Sequence, residues 1–349
     1  MISFQFYIVI STFISLISIP IYKFIINRKL FTSEEHIGPQ KIHINPTPRL
    51  GGVLVFLSIL IINFINIFIG TNILFGGIIS FLFIFFISLK EDTIGNTKPI
   101  NRLFFIFIAS IVFLYLSKIS LDFETPVIKN FLNIKFIQII FLILIISTAV
   151  NGFNIIDGSN GHCTFIAIIS SIIMIIILYQ INKIDYVYAL IPFTTFLLIF
   201  LIFNFPKGLI FLGDTGAYFL GWYLSITLLL VLADSQKEIS EVFFLNILFY
   251  PLFETVFSFI RKIYIKKSPF KPDDRHLHLI MINYLKFKNY KNYNNLNTFM
   301  LSHIWFFPIL SLPFFYDNNI ILILILLFQV LIYLLTYFFL YKAKKTIDF

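Results

Sequence analysis

Asn151, Asn154 and Asp157 recur every third residue at the end of a long apolar run, within Asn151-Gly152-Phe153-Asn154-Ile155-Ile156-Asp157-Gly158. On a helix that spacing holds three side chains within an arc of about 120°. They can therefore converge on one ligand. Polar groups embedded in sequence destined for lipid are costly unless something binds them. Amide and carboxylate oxygens are the hard donors that a hydrated Mg²⁺, or the edge of a nucleotide base, would take. A plain glycine-rich turn with capping Asn and Asp would read similarly through Gly158-Ser159-Asn160-Gly161-His162. The polar residues start inside the apolar run, however, which favours the ligand.

Four further polar clusters break the apolar sequence. Lys41-Ile42-His43-Ile44-Asn45-Pro46-Thr47-Pro48-Arg49-Leu50-Gly51-Gly52 combines a proline-stiffened backbone with two cations suited to phosphate, Lys41 and Arg49. Lys90-Glu91-Asp92 places two acids at a helix C-terminus, where negative charge is disfavoured. A metal, or Lys98 and Arg102, is the expected compensation. In Phe211-Leu212-Gly213-Asp214-Thr215-Gly216-Ala217, Asp214 stands where an N-cap would. The flanking glycines suit backbone N–H groups turned toward an anion, with a carboxylate beside them for its metal. Last, Glu254 lies inside an apolar helix and is followed by Lys271-Pro272-Asp273-Asp274-Arg275-His276-Leu277-His278. Arg275, His276 and His278 form a compact patch for phosphate oxygens. A zinc half-site lacks a third soft ligand.

The elements that must carry these residues are membrane helices. Of 349 residues 59% are hydrophobic and 12% charged, far from the balance of a soluble globular chain. Continuous apolar runs of about 20 residues predict an all-α, polytopic transmembrane bundle and exclude an alternating β-barrel. About eleven helices are expected, near 4–26, 52–70, 72–89, 103–117, 136–151, 163–180, 187–203, 216–233, 242–260, 299–316 and 319–340. The first run is too long for a cleaved signal and is read as a retained helix. One integral-membrane domain, 1–349, is expected, with loops at about 27–51, 90–102, 152–162, 204–215 and 261–298 on one side. Those breaks and the tail hold most Lys and Arg, whereas the others hold only Lys118, Lys129, Lys135, Lys183 and Lys237. The positive-inside rule places the N-terminus in the periplasm, the C-terminus in the cytoplasm, and all five clusters on the cytoplasmic face. In the last loop, 279–285 reads either as an interfacial amphipathic helix or as solvated basic chain. The net charge of +9 belongs to such loops and is not a nucleic-acid signal. A single Cys163 excludes an internal disulfide or a CxxC metal site.

Acids, amides, histidines and cations on one membrane face fit phosphoryl transfer from a metal-chelated polyphosphate to an acceptor anchored in lipid. In such a reaction, charge on the attacking and leaving oxygens must be screened.

The motifs, in order, resemble the polyprenyl-phosphate N-acetylhexosamine-1-phosphate transferases of glycosyltransferase family 4. The resemblance runs from about 39 to 280 and rests on NPTPRLGG (45–52), AVNGFNIIDG (149–158), FLGDTGAYFLG (211–221) and PDDRHLH (272–278). The resemblance implies a Mg²⁺-dependent enzyme of the bacterial inner membrane, with Mn²⁺ as a substitute ion. A polyprenyl phosphate (undecaprenyl phosphate) attacks the β-phosphorus of a UDP-N-acetylhexosamine and UMP leaves. The reaction would start O-antigen, teichoic acid or related glycan assembly. By the same resemblance Asp214 matches a metal-binding aspartate, and Asn154 and Asp157 match positions at the nucleotide and metal. Asp92 matches the second acid of a pair tied to the lipid phosphate. His276 and His278 match a phosphate-binding element, and Lys41 and Arg49 a basic element near the diphosphate. Glu91 stands where the family has the first Asp, and Leu279 where it has a further His. The chain lacks the triple-His signature of the pentapeptide translocases and looks closer to the branch using simple UDP-sugars. Direct attack is expected, with Asp92 positioning the lipid phosphate. The competing readings are a carrier of a lipid-linked or anionic substrate, disfavoured by the absence of a repeat and by acids gathered at one face, and an inactive scaffold homologue. A homodimer is compatible with all of them.

Overall fold

The structure, a computed structural model, describes residues 4–30, 47–69, 73–123, 126–269, 271 and 273–347. Lys41 and the start of the first basic motif lie outside the described residues. Within them the regular structure is helical: α1 (Phe4–Arg28), α2 (Gly51–Ile69), α3 (Phe75–Thr93), α4 (Pro99–Ser117), α5 (Pro126–Leu132), α6 (Lys135–Ile156), α7 (His162–Gln180), α8 (Ile184–Asn204), α9 (Gly213–Asp234), α10 (Glu241–Ile247), α11 (Phe249–Tyr264), α12 (Leu277–Phe287), α13 (Tyr293–Ser311) and α14 (Asn319–Ile347), with a 3₁₀ turn Leu312–Phe314. Every expected apolar run is helical. Among the described residues, seven helices are long and apolar enough to cross a membrane, or eight with the bent α10–α11 pair taken as one span.

Helix α9 is the axis of the bundle. It is buried along almost its whole length, against α6, α3 and α2. Helix α14 instead turns Leu324, Leu327, Leu331 and Leu335 outward, as a lipid-facing helix does. Around α9 the aromatic rings of Phe56, Phe81 and Phe219 cluster, and Trp222 donates its indole N–H to the Gly77 carbonyl at 2.9 Å. Where α2 starts, its backbone touches α9 directly. A Cβ on Gly52 would lie 2.0 Å from the Gly216 Cα. Small residues are what allow two membrane helices to approach so closely. The contact is extended by Gly51 and Gly52 donating their N–H groups to the carbonyls of Phe211 and Leu212, at 3.0 and 2.9 Å.

The run expected as one span near 242–260 is instead broken, with α10 and α11 meeting at 79°. Proline explains the break. Pro251 has no N–H for the Ile247 carbonyl four residues earlier, and that carbonyl accepts the Ser170 hydroxyl of α7 at 3.3 Å. Helix α12 realises the helical reading of 279–285, but it is buried against α13 and α14. Helix α6 runs five residues past its expected end, so Asn151 and Asn154 are helical.

Replacing Gly52 by Val should force α2 off α9. An overpacking penalty of about 1–3 kcal/mol should lower the apparent melting temperature in detergent. Gly76→Ala, whose Cβ would meet Leu116 at an ordinary 3.4 Å, should leave that temperature unchanged or slightly raised.

Candidate active site

The site is assembled where α9 begins. Its N-cap position, Leu212, offers no side-chain acceptor, and the first-turn amides are satisfied from another helix. Asp92, in the last turn of α3, accepts the N–H of Asp214 at 2.7 Å through Oδ1 and the N–H of Thr215 at 2.8 Å through Oδ2. Two dipole effects are settled together. Asp92 leaves the unfavourable C-terminal end of its own helix for the favourable N-terminal end of another. Gly213 makes room for this. Its φ is +75°, and a Cβ there would lie 2.8 Å from both Asp92 oxygens and 2.3 Å from the Arg49 carbonyl. Asp214 is thus a first-turn residue of α9 rather than its cap.

The carboxylate of Asp214 lies between two guanidinium groups. Arg49 Nη2 is 3.7 Å from Oδ1, and Arg102 Nη1 pairs with Oδ2. Arg49 also reaches Asp92, with Nε 4.0 Å from Oδ1. Arg102 comes from the first turn of α4 and is largely buried, its Nε lacking a partner among the described residues. Its ion-pair partner is Asp214, and it also feels the charge of Glu91, one of the two acids it was expected to compensate. Glu91 accepts the N–H of Thr97 at 2.8 Å, and its hydroxyl as well, and so closes the α3–α4 turn.

Asp157 follows α6 as its C-cap. It feels both Asp92 and Asp214, which places the three carboxylates in one electrostatic neighbourhood. Burial pushes the Asp157 carboxyl up to about 7. Arg49 opposes that shift, and the charges of Asp214 and Asp92 add to it. No hydrogen bond or ion pair engages Asp157 or the Asn154 side chain among the described residues. Asn151 donates Nδ2 to the Ser147 carbonyl at 2.8 Å.

The histidine element packs at this corner from the other side. A Cβ on Gly158 would meet His278 Nε2 at 2.4 Å. His276 and His278 stack with centroids 5.9 Å apart and planes at 16°. Both are buried. His278 is held neutral, its pKa lowered to about 3, first by burial and then by the neighbouring His276. His276 Nδ1 lies 2.9 Å from Glu254 Oε1. The Arg275 side chain makes no ion pair among the described residues. Its backbone is fixed by Asp273 Oδ1 accepting its N–H at 3.0 Å and by its carbonyl accepting from Arg261.

Several residues that shape the site carry little sequence signal. Asn204, at the end of α8, ties the α6–α7 loop to the α8–α9 loop, accepting the Gly161 N–H at 2.7 Å and donating to the Ile210 carbonyl at 2.9 Å. The Asn-rich start of α13 clamps the loop after Asp157. Asn294 accepts the Asn160 N–H at 2.9 Å, and Asn297 donates to Ser159 Oγ at 2.7 Å. Asparagine is so common in this chain that no single one stands out. Arg102 was expected as a compensating cation, but its pairing with Asp214 carried no local signal.

Among the described residues no three His, Cys, Asp or Glu side chains close into a ready-made metal cage. Mg²⁺ does not require one. It binds through one or two carboxylates together with substrate phosphates and keeps its waters. Asp157 and Asp214, with the Asn154 amide between loop and helix, have the right oxygen chemistry for it. Three carboxylates facing two guanidiniums leave negative charge for a cation to meet.

Asp92→Ala would strip two α9 amides of their acceptor. It should destabilise the protein by about 1–3 kcal/mol, read as a fall in apparent melting temperature. Asp92→Asn keeps one acceptor oxygen and should lose less.

The glycosyl transferase family 4 pattern matches residues 74–232, a stretch containing Asp92, Arg102, Asp157 and Asp214. The chain is 28% identical over 242 residues to the undecaprenyl-phosphate alpha-N-acetylglucosaminyl 1-phosphate transferase of Thermotoga maritima, covering 68% of this chain and 69% of that protein. It is 26% identical over 275 residues to a probable undecaprenyl-phosphate N-acetylglucosaminyl 1-phosphate transferase of Bacillus subtilis, covering 78% and 76%. With the phospho-N-acetylmuramoyl-pentapeptide-transferase of Petrotoga mobilis it shares 30% identity over 233 residues, covering 63% and 73%. On these matches, and with the motif residues gathered at one end of the bundle, the chain belongs to glycosyl transferase family 4.

Proposed function

We propose that the protein transfers a sugar 1-phosphate of N-acetylhexosamine type from a UDP-sugar to undecaprenyl phosphate, releasing UMP. The observation that carries this reading is the convergence of Asp92, Asp157 and Asp214 with Arg49 and Arg102 at one end of a membrane bundle. A lipid phosphate and a water-soluble diphosphate can meet there. The named activities of the Thermotoga maritima and Bacillus subtilis relatives supply the same chemistry. The distribution of Lys and Arg supports a cytoplasmic orientation of that end, in keeping with a protein of the inner membrane.

In this reading an oxygen of the lipid phosphate forms a bond to the β-phosphorus of the donor. The bond from that phosphorus to the bridging oxygen breaks, and its electron pair leaves with UMP. Mg²⁺ bound by Asp157 and Asp214, with Asn154 beside them, would screen the diphosphate charge. Arg49 and Arg102 hold Asp214 in place and supply the positive charge that draws phosphate into the site. Asp92 acts indirectly. Both its oxygens are occupied by α9 amides, so it fixes Asp214 rather than forming a phospho-enzyme. A phosphate monoester is already ionised at neutral pH, so direct attack needs no strong general base. His278 packs against Gly158 beside Asp157, and in this reading His276 and Arg275, from the same segment, would contact donor phosphate or sugar. Initiation of a cell-surface glycan is the role such a product would serve.

The test is UMP release by purified protein in detergent with Mg²⁺, undecaprenyl phosphate and a panel of UDP-sugars that includes UDP-N-acetylmuramoyl-pentapeptide. Release with a simple UDP-N-acetylhexosamine is expected, falling by about 10²–10³ in Asp214→Asn and Asp157→Asn. Release with the pentapeptide donor alone would reassign the substrate, and no release with any donor would reject the transferase.

A further inference from the structure

Glu254 is 1% exposed and lies within apolar α11, 22 residues before the histidine it meets. Both of its oxygens are committed. Oε1 faces His276 Nδ1 at 2.9 Å and the Leu277 N–H at 3.4 Å. Oε2 accepts the hydroxyl of Tyr333, a fully buried residue of α14, at 2.6 Å. A carboxylate only accepts hydrogen bonds, so the ring nitrogen it faces must carry a proton. The second nitrogen, Nε2, is then the one left to act, which is how a carboxylate orients a working imidazole.

We propose that Glu254, held by Tyr333, is a positioning residue that fixes His276 with Nδ1 protonated and directs Nε2 to the phosphate-binding corner.

Groups from α12, α14 and the segment before α12 enclose the Glu254–His276 pair. His278 of α12 stacks on the His276 ring and abuts Gly158, next to Asp157. Asp273, 3.8 Å from His276 Nε2, is held back by Arg261 Nη2 at 3.1 Å. His276 Nε2 is therefore near an acid without being captured by it. Tyr333 sits in a ladder with Tyr337, rings 6.3 Å apart and nearly parallel, and Tyr337 contacts Arg261 at 3.0 Å. Three separate elements, α11, the approach to α12 and α14, thus combine to orient one imidazole. This inference rests on the phosphate-transfer reading above for its purpose, but not for its geometry.

The experiment uses the full chain in lipid nanodiscs with ¹⁵N-labelled histidine, and His276→Asn to assign the resonance. The wild type should show His276 protonated at Nδ1, with Nε2 shifting when UDP and Mg²⁺ are added. Glu254→Gln should lose the fixed tautomer and the Nε2 response. It should also raise the KM for the UDP-sugar at least tenfold, more than it changes kcat, with the apparent melting temperature within a few degrees of wild type. Tyr333→Phe should cause a smaller change of the same kind, about threefold, and carries the test if Glu254→Gln does not fold. An unchanged tautomer or an unchanged UDP response in the folded variants would overturn the proposal. So would a loss of stability and turnover together with no change at the ring. Because the UDP response is read without turnover, a wild type that responds to UDP yet releases no UMP would reject the transferase while leaving the positioning role supported.

Discussion

The organisation of this end of the bundle depends on one carboxylate serving a helix other than its own. Asp92 ends α3 and caps α9, taking the N–H groups of Asp214 and Thr215 on its two oxygens. A buried helix start with unsatisfied amides would be costly, and so would a buried carboxylate at a helix C-terminus. Each removes the other's cost. The arrangement requires that nothing larger than hydrogen occupy the α-carbon of Gly213. It also requires α2, α3 and α9 to lie in register, which the Gly52–Gly216 backbone contact sets. Once Asp92 is fixed, Asp214 is presented from the first turn of α9 to Arg49 and Arg102.

From that constraint the chemistry follows by charge. Three carboxylates and two guanidiniums share a low-dielectric corner, where electrostatic interactions are stronger than in water. The elevated pKa of Asp157 comes first from its burial, with the neighbouring Asp214 and Asp92 adding to it against the pull of Arg49. Oxygen ligands of this kind suit a hard cation, and the guanidiniums suit phosphate. The histidine pair closes the corner from α12, behind a Glu254 that would otherwise be an unexplained charge inside an apolar helix.

Much of this was legible in the sequence, because membrane helices declare themselves locally. The described parts of the eleven apolar runs are largely helical, with the 242–260 run broken, and the described motif residues Arg49, Asp92, Asp157, Asp214 and His278 lie at one end. The spacing of Asn151 and Asn154 is helical, as a period of three allows, although the helix runs past its expected end and stops just before Asp157. What was not legible was pairing across distance. Asp92 and the amide it caps are 122 residues apart, and Arg102 meets Asp214 across 112. Local rules therefore gave Asp214 the capping role and could not pair Arg102 with it. The bend between α10 and α11 was hidden because Leu248 to Leu252 remain apolar through it. Only Pro251 marks it, and prolines inside α1, α8 and α13 produce no such break. The asparagine clamps on the loop after Asp157 were masked by a composition rich in asparagine.

The central claim is that Asp214, with Asp157, forms the seat of a divalent cation at the start of α9. Paramagnetic resonance of Mn²⁺ titrated into the purified protein in nanodiscs measures this without reference to any substrate. One site competed by Mg²⁺ is expected in the wild type, weakened by an order of magnitude or more in Asp214→Asn. Equal Mn²⁺ binding by wild type and Asp214→Asn would contradict it.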